Sequence, residues 1–160
     1  MKKVLFGLFT CLVILTGCFG NPVQDDLLNY INEEIQPLAD LETKAMDAYD
    51  SVTGANYTDD QTTYNTIKDE VVPTYRDFID KLEAIKPETE EVSKLHEQYI
   101  DAANMQHSAF IIILDALEKA DTGLITEAND KLAEARKGIR SYQKDLEKLA
   151  EENNVEFEEE

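Results

Sequence analysis

The chain has 160 residues, with 34 acidic against 15 basic side chains, a formal charge of −19 at neutral pH and 42% hydrophobic residues. That length supplies one ordinary domain, and the acidic excess excludes nucleic acid as a partner, because phosphate binding needs concentrated Lys and Arg. Two cysteines, Cys11 and Cys18, cannot build a disulfide framework of the kind that staples small secreted domains.

At the start, Lys2 and Lys3 form a positive region, and Val4 to Leu15 form an apolar run of twelve residues. A comfortable membrane span needs about 20 apolar residues, so this run fits an export signal better than a transmembrane helix. Thr16 and Gly17 are the small residues a signal peptidase requires before its cut. Cys18 supplies a thiol, a soft nucleophile suited to thioether formation.

Leu15-Thr16-Gly17-Cys18, placed directly after the apolar run, resembles the lipobox of bacterial lipoproteins of the diacylglyceryl-cysteine class. The resemblance covers Met1 to Cys18. It implies cleavage between Gly17 and Cys18, a lipid on the Cys18 sulfur, and a mature protein held on the extracytoplasmic face of the cell membrane. Phe19 is not the aspartate associated with inner-membrane retention, so the following position adds no sorting signal. The body is similar to small uncharacterised helical lipoproteins of Gram-positive bacteria through Leu28-Asn-Tyr-Ile31 and Leu95-His-Glu-Gln-Tyr-Ile100, and that similarity implies no particular activity. Losing residues 1 to 17 removes Lys2, Lys3 and Cys11, which enlarges the acidic excess and leaves no free thiol. An acidic surface does not settle on anionic lipid, so the lipid on Cys18 is the expected anchor.

Residues 18–24 are expected to form the lipidated cysteine and a short tether, reaching roughly 20 Å when extended. Residues 25–152 carry four blocks of 3.6-type periodicity without strand-like alternation. Block one runs Ile31, Ile35, Leu38, Glu42, Ala45, Tyr49, Val52, and block two runs Tyr64, Ile67, Val71, Tyr75, Phe78, Leu82, Ile85. Block three runs Val92, Leu95, Tyr99, Ala102, Gln106, Ala109, Ile113, Ala116, and block four runs Ile125, Ala128, Leu132, Ala135, Ile139, Tyr142, Leu146, Leu149. Gly54 ends block one, and Thr58 with Gln61 forms a capping box for block two. Pro87 and Thr89 separate blocks two and three, and Asp121-Thr122-Gly123 turns the chain into block four. Short connections between helices of roughly 40 Å favour antiparallel neighbours. The expected fold is therefore all-α, an antiparallel up-down-up-down four-helix bundle with kinks at Pro37 and Pro73. Residues 153–160 have no stripe and read as an acidic flexible tail.

Pro37 and Pro73 stand at equal distances from the turn at Ala55, which places both at one height in an antiparallel hairpin. At that height block three carries Asn104, Gln106 and His107. Tyr75, Gln106, His107 and Tyr142 are accordingly candidates for a small-ligand site or for a buried polar layer that fixes helix register. At the first turn, Tyr57 with Asp59 and Asp60 is a candidate contact for a protein or cationic partner, with the aspartates also serving as caps.

Other chemistries find no pattern. A di-iron bundle needs Glu-x-x-His pairs, yet Ser93 and Asn104 stand three residues before His96 and His107. Ser51, Ser93, Ser108 and Ser141 all fall in or at the end of helical blocks, with no nucleophile elbow. The expectation is a non-enzymatic, membrane-tethered binding or adaptor module without cofactor or metal. The alternative is a ligand-binding or sensory bundle using the polar middle, and an enzyme or metal protein ranks below both.

Overall fold

The computed structural model describes residues 20–157. The expected signal segment, the expected Gly17–Cys18 cleavage site and lipidation site Cys18, and the last three tail residues lie outside these. Among the described residues the fold is all-helical, without strands, and has four helices. We call them α1 (22–51), α2 (60–84), α3 (Glu90–Lys119) and α4 (Thr122–Glu152). No helix among the described residues is long and apolar enough to cross a membrane.

Helix α1 starts earlier than the expected tether allows. The Asn21 side chain accepts from the Val23 N–H at 3.1 Å, and Pro22 occupies the first turn, where its missing N–H costs nothing. Only residues 19–21 therefore lie between the expected lipidation site, Cys18, and the first residue of the helix. Each internal proline is preceded by a wide π turn: Tyr30–Ile35 before Pro37 and Ile67–Val71 before Pro73. The Gln36 N–H reaches the Ile31 carbonyl and the Val72 N–H reaches the Ile67 carbonyl, five residues back in each case. The widened turn takes up the proline ring that an α-helical carbonyl would strike. In α1 a 3-10 turn, Gln36–Leu38, follows directly and packs against the Val72–Ala84 part of α2.

The wide turn also shifts the buried face of α2. Three successive steps of four, Thr63, Ile67, Val71 and Tyr75, stay buried, although such steps drift around an ordinary helix. Thr63 thus takes the buried place expected for Tyr64, whose hydroxyl instead donates to Glu118 at the surface. Helices α3 and α4 pack closely along small residues: a Cβ on Gly138 would stand 2.9 Å from Ala102 Cβ. Tyr30, Tyr75, Phe78 and Phe110 are the largest fully buried side chains.

The helix ends carry further corrections. Asp59, not Thr58, caps α2, accepting from the Thr62 N–H at 2.9 Å and the Thr62 hydroxyl at 2.8 Å. Thr89 caps α3 and Asp121 caps α4. The expected flexible tail is ordered at its beginning. Asn154 turns left-handed (φ 57°), the Val155 N–H bonds the Ala150 carbonyl at 2.9 Å, and Val155 is buried. An asparagine tolerates that conformation and the valine seals the helix end, which is the αL closure with its hydrophobic contact.

The two ends of α1 meet different neighbours. Asn21 Nδ2 donates to Asn153 Oδ1 at 2.8 Å and Gln24 Nε2 to the Asn154 carbonyl at 3.2 Å, so the start of α1 lies beside the end of α4. The buried Asp26 carboxylate accepts from the backbone N–H groups of Glu88 and Thr89 and from the Thr89 hydroxyl, at 3.1, 2.7 and 2.6 Å. It ties α1 to the α2–α3 connection.

Candidate functional site

The polar centre of the interior is Glu42. It projects from α1 into the core, only 7% exposed, and accepts a 2.7 Å hydrogen bond from the Tyr99 hydroxyl of α3. Burial raises its pKa above the ordinary carboxylate range, and the Tyr99 hydrogen bond opposes that shift. Tyr75 and Tyr142 also feel its charge, and burial drives both phenols upward. The Tyr142 ring stacks on Tyr99, with centroids 4.5 Å apart and planes within 14°.

The tyrosine cluster continues toward the start of α1. The Tyr142 hydroxyl lies 3.3 Å from the Tyr30 hydroxyl, which lies 3.2 Å from His96 Nδ1. Burial lowers the His96 pKa, against smaller opposing effects of Glu97 and the Leu82 backbone. A neutral imidazole can accept from Tyr30 through Nδ1, which leaves the Tyr30 oxygen free to accept from Tyr142. Tyrosine rings, a histidine and one carboxyl from α1, α3 and α4 are thus joined through the core.

Of the four mid-bundle candidates, Tyr75 and Tyr142 border Glu42, while Gln106 and His107 turn elsewhere. The Gln106 amide donates to the Met46 sulfur of α1. His107 is half-buried against Arg76 and Asp80 of α2, and burial, then Arg76, lowers its pKa. The Tyr75 hydroxyl is buried without a hydrogen-bond partner, its ring edge-on to Phe110 at 5.3 Å.

At the other candidate region, Tyr57 is 51% exposed and its hydroxyl donates to Asp60 Oδ1 at 2.8 Å. That hydrogen bond, more than any other influence, raises the Tyr57 pKa; hydrogen bonds from Thr62 hold the Asp59 carboxyl below its ordinary range. Tyr57 and Asp60 border an open groove of about 640 Å³. Tyr49, Ile113, Leu117 and Ile125 supply much of its apolar lining, and Asp121 and Thr122 border it from the α3–α4 turn. Gly54 (φ 57°) and Ala120 (φ 51°) make the left-handed turns that bring the chain around on the two sides.

The sequence marked Tyr57, Asp59 and Asp60 but not the groove, since Ile113 and Ile125 read as ordinary core positions. Glu42 was visible as a charged residue on an apolar stripe. Asp26 carried no signal that set it apart from the other acidic residues. Among the described residues no cluster of three His, Cys, Asp or Glu side chains could hold a metal. No protein-family model, curated protein or solved structure matches the chain.

Proposed function

We propose that the protein is a membrane-tethered, extracytoplasmic, non-enzymatic binding module, anchored through lipid on Cys18 and engaging a partner protein at its far end. The observation that carries this reading is the open groove between the α1–α2 and α3–α4 connections. In an antiparallel up-down-up-down bundle, both connections stand away from the end where α1 begins. That arrangement is supported by the pairing of Asn21 with Asn153 and of Asp26 with the α2–α3 connection at one end, and by the groove shared between the other two connections. The wide turns before Pro37 and Pro73 would then bend α1 and α2 at one height.

Two variants test the reading. Cys18→Ser should move the protein from the membrane fraction into the released fraction. Leu117→Glu, in the groove, should leave helicity and membrane attachment intact while abolishing co-purification of a crosslinked partner. Undiminished partner recovery with Leu117→Glu would overturn it. A second reading, a ligand-binding or sensory bundle, is favoured by one observation, the buried Tyr75 hydroxyl without a partner beside Glu42. A small molecule that protects Tyr75 or quenches the tyrosine fluorescence of the purified protein would support it.

A further inference from the structure

We propose that the tip groove receives a basic segment of the partner protein, with one apolar side chain entering the groove and flanking Arg or Lys side chains meeting its acidic rim. This rests on the reading of the tip as the binding end, and it names the chemistry of what binds there.

Charge complementarity sets the choice. The groove lining contains two charged residues, Asp60 and Asp121, and no Lys, Arg or His. Asp59 stands next to Asp60. Two cations near it in the chain have other partners: Lys119 pairs with Asp115 at 2.7 Å, while also feeling the charge of Asp121, and Lys68 lies over the Tyr64 ring at 5.3 Å. Arg136 acts on Tyr49 from farther along α4. The half-exposed Tyr57 ring, steadied by its hydrogen bond to Asp60, offers a face to a guanidinium.

The shape of the groove favours a peptide segment over a small molecule. Small-molecule sites enclose most of the ligand and converge a few polar groups on it. Here the groove is open, and among the described residues none of the buried side-chain atoms without a hydrogen-bond partner belongs to a residue lining it. An apolar anchor would supply affinity, and the carboxylate rim would supply orientation and speed of association.

The test uses the full-length lipoprotein in detergent micelles and three synthetic peptides: Gly-Lys-Phe-Arg-Gly, Gly-Glu-Phe-Glu-Gly and Gly-Lys-Ser-Arg-Gly. The first should shift the backbone amide resonances of Tyr57, Asp60, Leu117 and Ile125, and bind at least tenfold more tightly than the other two. Asp60→Asn should weaken it severalfold, and so should added salt. Equal binding of the serine peptide would reduce the effect to general charge attraction and overturn the proposal, as would preference for the acidic peptide or no binding at all. Photo-crosslinking from position 57 in cells separates the two levels of inference. Capture of a partner whose contacting segment lacks basic residues sinks this proposal alone, whereas no capture from the tip sinks the tip reading as well.

Discussion

The two ends of the molecule are built on different terms. At the end where α1 begins, polar groups from distant parts of the chain lock together: Asp26 with Glu88 and Thr89, Asn21 with Asn153, Gln24 with Asn154. At the other end the hydrogen bonds within the connections are local, Tyr57 with Asp60, Thr62 with Asp59, Gly123 with Asp121, and one exposed long-range bond, Tyr64 to Glu118, joins α2 to α3 beside them. Long-range bonds close the first end against its neighbours, whereas local bonds shape each connection at the second and leave apolar surface open between them. The closed end fits the proposed tether at Cys18, and the open end fits the proposed contact with a partner.

The sharpest way to break this contrast is to remove the Asp26 carboxylate. Asp26→Ala strands the backbone N–H groups of Glu88 and Thr89 and should cost about 2–4 kcal/mol, measured by urea unfolding. Its effect should appear in hydrogen exchange around residues 86–92 while the tip remains unchanged. If the tip loosens equally, the two ends are not independent.

The interface joining the ends is the next target. Gly138→Leu forces a side chain into the 2.9 Å approach to Ala102, and overpacking of this kind should cost about 1–3 kcal/mol. Gly138→Ala tests the same contact with a single methyl, against the gain in helix propensity of about 1 kcal/mol. A net gain from that variant would show that α3 and α4 can separate at little cost.

Glu42 gives a pH-dependent comparison between the core and both ends. Burial raises its folded pKa above the unfolded value near 4.5, so the folded state holds the proton more tightly. The penalty is absent below pH 4.5 and grows as pH rises toward the folded pKa, where it levels off. Glu42→Gln retains an acceptor for Tyr99 and should raise the melting temperature at pH 7 but hardly at pH 4.5. His96 acts in the opposite sense. Its pKa is lowered by burial, so its contribution is present above pH 6.5 and is lost as pH falls through its folded value. A Glu42→Gln gain independent of pH would show that the carboxyl is not protonated by burial.

The smallest expected effect is at the tip. Ala120 holds a left-handed conformation, φ 51°, that Gly adopts without strain, so Ala120→Gly should stabilise the fold by about 1 kcal/mol. A loss instead would mean that the Ala120 methyl packs usefully along the groove edge.

Much of the architecture was legible because helical burial repeats along the chain. The block-four positions Ala128, Leu132, Ala135, Ile139 and Tyr142 all face inward, and the Thr89 and Asp121 caps fall where turn chemistry put them. The Thr63-for-Tyr64 exchange was not legible, because a wide π turn changes the phase of the stripe and leaves no residue signature beyond a proline two positions later. Asp26 was hidden for another reason: its partners lie more than sixty residues away. Glu42 stood out, since a carboxyl on an apolar stripe needs a partner wherever it packs. The groove depended on how two connections sit together, which no local pattern encodes.

The most direct test of the account is photo-crosslinking in intact cells from three positions: 57 beside the groove, 101 on the exposed side of α3 midway along it, and 24 near the start of α1. A partner captured strongly from position 57, weakly or not at all from 101 and 24, and lost with Leu117→Glu is the predicted result. Capture from position 24 or 101 with none from 57 would contradict it.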